Sequence, residues 1–127
     1  MATIAILDDE PALRHLFQRV LERAGHTVRT YGDGAAALEG LLDDPPAVFL
    51  TDLNVPSLTG VEVVARLRRD PRGRGIGCIL LSGSTERELV RAAAVDFDAW
   101  LTKPVDIGDL VTAVADRLLP TEVRPTR

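Results

Sequence analysis

The chain has 127 residues, 46% of them hydrophobic and 27% charged, proportions that fit one soluble globular domain and argue against disorder. Fifteen basic residues against nineteen acidic ones leave a net charge of −4, so the positive footprint of a nucleic-acid binder is missing and no direct nucleic-acid contact is expected. No apolar run exceeds four residues, against the roughly 18 of a membrane span; Met1-Ala2-Thr3 lacks the parts of a signal peptide, so a cytoplasmic protein without membrane contact is predicted.

Taken in chain order, Ile4-Ala5-Ile6-Leu7 reads as a first strand closed by Asp8-Asp9. Leu13, Leu16, Phe17, Val20, Leu21 and Ala24 follow at helical spacing, with Gly25 as the stop. His26 to Tyr31 is predicted as an edge strand and Ala35 to Leu42 as a short helix before Pro45-Pro46. Ala47-Val48-Phe49-Leu50 forms a strand closed by Thr51-Asp52, and Gly60 to Arg69 a helix. Cys78-Ile79-Leu80-Leu81 forms a strand closed by Ser82-Gly83; the lone cysteine excludes an internal disulfide and reads as a buried thiol. Thr85 to Val95 completes a fourth helix, Ala99 to Leu101 a fifth strand, and Ile107 to Leu118 the last helix, capped by Asp106 and stopped by Pro120. Continuous apolar strands alternating with helices predict an α/β fold, a doubly wound parallel sheet covered on both faces.

In such a sheet ligands bind beyond the carboxyl ends of the strands, so the residues that close them carry the functional reading. Asp8, Asp9 and Asp52 converge there; carboxylates so crowded repel unless a cation intervenes, and an all-oxygen set suits Mg²⁺. The Ser82 hydroxyl, the Gly83 backbone N–H and the Lys103 ammonium supply donors suited to a phosphoryl group. Lys103 is the only lysine among fifteen basic residues, and a compact ammonium fits a crowded pocket where a planar guanidinium needs room. Taken singly, each residue has a plainer role: Asp8 to Pro11 as a helix cap, Asp52 and Ser82 to Ser84 as turn residues, Lys103 as a surface lysine. Their coincidence at successive strand ends favours one site.

These stretches resemble the receiver domain of two-component response regulators, in the CheY-like superfamily, from about Thr3 to Leu118. The resemblance rests on Ile4 to Pro11, on Thr51-Asp52-Leu53-Asn54-Val55-Pro56 with Gly60, on Leu81-Ser82-Gly83 and on Leu101-Thr102-Lys103-Pro104. It implies a flavodoxin-like (βα)5 fold with strand order 2-1-3-4-5, a receiver over residues 1–119 and a tail or linker remnant over 120–127. Asp52 would accept a phosphoryl group from a histidine kinase or histidine phosphotransfer protein. Mg²⁺ would be held by Asp8, Asp9, Asp52 and the backbone carbonyl of Asn54. Ser82, Gly83 and Lys103 would bind the phosphoryl group, and Trp100 would stand in the place of the family's switch aromatic, usually Tyr or Phe. Phosphorylation would then alter the face of the fourth predicted helix, fifth strand and last helix, which a downstream protein target reads; a homodimer on phosphorylation is compatible with this.

Thr59, Val105 and Trp100 depart from common residues of the family, and none of them is a metal or phosphate ligand. The chain is not expected to be an enzyme beyond its own Mg²⁺-dependent phosphorylation and dephosphorylation. A phosphorylation-independent receiver-like interaction module is the alternative, disfavoured by the complete acid, hydroxyl and lysine set. A Mg²⁺-dependent phosphohydrolase of the haloacid dehalogenase kind would want Asp-x-Asp on its first strand, where this chain has Asp8-Asp9-Glu10. His15, His26 and the basic run Arg66, Arg68, Arg69, Arg72 and Arg74 read as solvated surface.

Overall fold

A computed structural model describes residues 2–83 and 94–119. The strands β1 (Thr3–Leu7), β2 (Thr27–Tyr31), β3 (Val48–Asp52), β4 (Gly77–Ser82) and β5 (Ala99–Thr102) alternate with helices α1 (Pro11–Arg23), α2 (Gly34–Asp43), α3 (Gly60–Arg69) and α4 (Ile107–Leu118). All strand pairs are parallel, in the predicted order β2-β1-β3-β4-β5. The helix predicted over 85–95 lies outside the described residues except for Ala94 and Val95, which form a turn and a bend.

Side chains alternate across each strand, yet both faces are apolar, which explains why the strands read as unbroken hydrophobic runs. On one face Ile4, Ile6, Val48, Leu50, Ile79 and Leu81 pack against Phe17 and Leu21 of α1 and Leu110 and Val114 of α4. On the other face Ala5, Leu7, Phe49 and Cys78 meet Ala37 and Leu41 of α2 and Val63, Val64 and Leu67 of α3. Truncating such a fully buried Leu or Phe costs about 2–5 kcal/mol, so the sheet is a rigid platform for its ends.

The helix ends follow local chemistry. Gly25, with φ of 98°, turns the chain out of α1 as expected. Asp33 caps α2, its side chain accepting from Ala36 N–H at 3.0 Å. Thr59 and Glu62 form a reciprocal capping box at α3, at 3.2 and 3.0 Å, so the departure at Thr59 has a local structural purpose. The Glu10 side chain makes no cap at α1; its N–H donates instead to Asp8 Oδ1 at 2.9 Å.

The basic run is not uniformly solvated, and here the expectation is corrected. Arg68 reaches the segments that lead into β4 and β5 and donates to the carbonyls of Asp96, Arg74 and Ile76, at 3.0, 3.1 and 2.8 Å, and to Asp98 Oδ2 at 3.1 Å. Asp98 also accepts from Cys78 N–H at 2.7 Å while its own N–H donates to the Cys78 carbonyl at 2.8 Å. With Arg117 Nη1 at 3.8 Å from Asp98 Oδ1, this network ties α3, the starts of β4 and β5, and α4 together. His26 also departs from expectation: it is half-buried, and burial pushes its pKa down.

Candidate functional site

At the opposite edge, where the strands end, the parallel register lines up the predicted residues. Leu7 pairs with Thr51, Asp52 with Leu81, and Ser82 with Thr102. Asp8 therefore emerges beside the end of β3, and Lys103 follows the residue paired with Ser82. Strands β3, β4 and β5 run to Asp52, Ser82 and Thr102, beyond the predicted ends at Leu50, Leu81 and Leu101, so Asp52 and Ser82 are themselves ladder residues held by the sheet.

Asp8, Asp9 and Asp52 each present a carboxylate oxygen, and these oxygens lie within 4.8 Å of one another. Asp8 is fully buried, Asp52 half-buried and Asp9 exposed, so the cluster runs from the interior to solvent. Asp8 Oδ1 accepts from Glu10 N–H, whereas Asp8 Oδ2 is buried with no hydrogen-bond partner among the described residues. Burial pushes the Asp8 pKa up; the Glu10 N–H opposes that shift, the charge of Asp52 adds to it, Lys103 opposes it and Asp9 adds to it. A carboxylate with a buried, unanswered oxygen, clustered with two further acids, is a donor set that fits a hard divalent cation.

The Asp52 carboxylate is oriented from two sides. Oδ1 accepts from Leu53 N–H at 2.7 Å, and Oδ2 lies 3.0 Å from Lys103 Nζ. The Lys103 N–H in turn donates to the Ser82 carbonyl at 2.8 Å, which fixes the loop after β5 to the end of β4. Gly60 is required by close approach: its N–H bonds the Leu53 carbonyl at 3.0 Å, and a Cβ there would collide with the Asp52 carbonyl and Thr51 Oγ1. Arg14 of α1 donates to the Asp8 carbonyl at 2.7 Å and so braces the other acidic strand end.

Ser82 is buried at the end of β4 and Gly83 exposed just after it, both on the edge that carries the acids. A Cβ on Gly83 would meet nothing within 4 Å, so space alone does not demand glycine there. Asn54 is exposed two residues beyond Asp52. Trp100, in register with Leu80 on the edge strand, is 38% exposed and borders shallow clefts shared with Asp109 of α4. The reading of the sequence missed the arginine braces of Arg14 and Arg68 and the capping role of Thr59; the spacing Thr59-Gly60-Val61-Glu62 at the head of an apolar helix was the available signal for the last.

Comparison with known proteins gives a consistent picture. The response regulator receiver domain profile matches residues 4–115. The DNA-binding dual master transcriptional regulator RpaA of Synechocystis is 31% identical over 126 residues, covering 98% of this chain and 52% of that regulator; the chain spans about half its length. The chemotaxis response regulator CheY4 of Vibrio cholerae superposes with a TM-score of 0.85 at 28% identity, covering 93% of this chain and 99% of that one. The receiver domain of the sensor histidine kinase PA1611 from Pseudomonas aeruginosa, whose structure has a magnesium ion coordinated in the active site cleft, shares the fold at a TM-score of 0.84 and 20% identity, covering 91% of this chain and 95% of that one.

Proposed function

Because the chain belongs to the response regulator receiver domain family of two-component signalling, we propose that it is switched by phosphorylation of Asp52. The observation that carries this reading is the pairing of Asp52 with the chain's single lysine at 3.0 Å, beside two further acids within 4.8 Å. The donor is a phosphohistidine on a histidine kinase or phosphotransfer protein. An Asp52 carboxylate oxygen forms the new bond to phosphorus as the phosphorus–nitrogen bond breaks, and the electron pair stays with the imidazole.

Asp8, Asp9, Asp52 and the Asn54 backbone carbonyl would hold Mg²⁺, with the orphaned Asp8 Oδ2 the strongest support for that assignment. When bound, Mg²⁺ supplies positive charge against the phosphoryl oxygens. Lys103 moves from Asp52 Oδ2 to a phosphoryl oxygen, and the Ser82 hydroxyl and Gly83 N–H supply the remaining donors. Ser82 drawing toward the phosphoryl group makes room for Trp100 to change rotamer, altering the face of β5 and α4 that a downstream target or a second copy reads.

On this reading residues 1–119 are the receiver and 120–127 a tail or linker, working in the cytoplasm on no substrate other than the phosphoryl group. No described helix is long and apolar enough to cross a membrane. Acetyl phosphate with Mg²⁺ should add one phosphoryl group by mass to the wild type. A chain that takes up none from acetyl phosphate or a phosphohistidine donor would be a phosphorylation-independent interaction module.

A further inference from the structure

The loop of residues 53–59, which follows Asp52 and carries Asn54, is anchored at both ends. At its base the Gly60 N–H holds the Leu53 carbonyl at 3.0 Å. At its tip Ser57 Oγ donates to Asp33 Oδ1 and accepts from Ala35 N–H, both at 2.9 Å, while the Gly34 N–H donates to the Pro56 carbonyl at 3.0 Å. Contact is close enough that a Cβ on Gly34 would collide with the Leu58 carbonyl. Ser57 has φ of 67°, a conformation that glycine adopts more readily. A serine held there makes sense if its hydroxyl is needed, and both ends of that hydroxyl's bonding reach the start of α2. With the Leu53 and Pro56 carbonyls committed, the direction of the intervening Asn54–Val55 backbone is set by these two anchors.

We propose that Asp33 and Ser57 are positioning residues for the metal, latching the loop to the start of α2 and so setting where the Asn54 carbonyl stands relative to Asp8, Asp9 and Asp52. The inference rests on the reading of the acid cluster as a Mg²⁺ site. Neither residue touches the cation; they act through the backbone, as outer partners of a metal site do.

Isothermal titration of the full chain with magnesium chloride tests it. Asp33→Ala and Ser57→Gly should each weaken Mg²⁺ binding by about tenfold, the usual cost of losing an outer partner. Asp33→Asn keeps an acceptor oxygen and should bind close to wild type. Ser57→Gly accepts the positive φ, so its melting temperature without metal should hold while its Mg²⁺ affinity falls, a split that a merely structural residue would not give. Wild-type affinity in both Asp33→Ala and Ser57→Gly would overturn the latch and leave the Mg²⁺ site standing. A wild type that binds no Mg²⁺ would remove the site, and the latch with it.

Discussion

The two edges of the sheet each place an aspartate about 3 Å from a cationic nitrogen, Asp98 at 3.1 Å from Arg68 and Asp52 at 3.0 Å from Lys103. Their surroundings differ. Where β4 and β5 begin, one carboxylate faces two arginines and a backbone N–H, and the arginine that reaches it is also bonded to three carbonyls. Where the strands end, three carboxylates cluster, one of them paired with a lysine, and a buried oxygen of Asp8 has no partner among the described residues. The first cluster is balanced in charge and acts as scaffold; among the described residues the second keeps net negative charge and calls for a ligand.

The largest expected effect sits on the unbalanced edge. Asp52→Asn should abolish phosphoryl uptake from acetyl phosphate, and labelling of that variant at the wild-type rate, read by intact mass, would move the acceptor elsewhere. On the balanced edge, Arg68→Met should cost about 2–4 kcal/mol, since it takes from Asp98 the nearer of its two arginines and from three carbonyls their guanidinium donor. Urea denaturation measures the loss, while the rise in melting temperature on adding Mg²⁺ should persist; a variant as stable as the wild type would erase the contrast between the edges.

A smaller effect of opposite sign belongs to Asp8→Asn. Removing the buried charge should raise the metal-free melting temperature by a few degrees and abolish the Mg²⁺ response, because the cation stabilises only by binding the folded state. The sign with pH follows from the raised Asp8 pKa. Below the ordinary value of 3.8 both folded and unfolded chains hold the proton; above it the unfolded chain releases first, so Asp8 lowers stability as pH rises to the folded value, and the penalty then stays constant. The gap between variant and wild type should therefore close in acid and open toward neutral pH; a gap that widens in acid would contradict the assignment. The smallest effect concerns Cys78, whose thiol burial pushes up to about 12. Alkylation by iodoacetamide at pH 8 should be slow in the folded protein and fast in urea, whatever the state of the acid cluster.

Much of this was legible in the sequence for identifiable reasons. Strands buried on both faces leave unbroken runs such as Ala47 to Leu50, and their polar terminators named Asp8, Asp52 and Ser82 without any distance being known. The strand ends were read a residue or two short, because Asp52 and Thr102 look like loop residues until the ladder that holds them is seen. Arg68 departs from the expectation because side-chain period says nothing about a long arginine reaching across the strand starts to carbonyls at 74, 76 and 96. The Asp33–Ser57 bond joins residues 24 apart in the chain, and no local pattern encodes it.

Lys103 enters the site from the last strand, and that has a consequence for how the protein is made. Chains emerge from the ribosome amino end first. Asp8, Asp9 and Asp52 are therefore synthesised well before the residue that offsets them, and β5 must dock on β4 to bring that residue in. Until then a chain with β1 and β3 already paired would hold its acids together without the lysine that faces Asp52. On the proposed reading of the acid cluster, Mg²⁺ would be open to the growing polypeptide as a provisional partner before that lysine arrives.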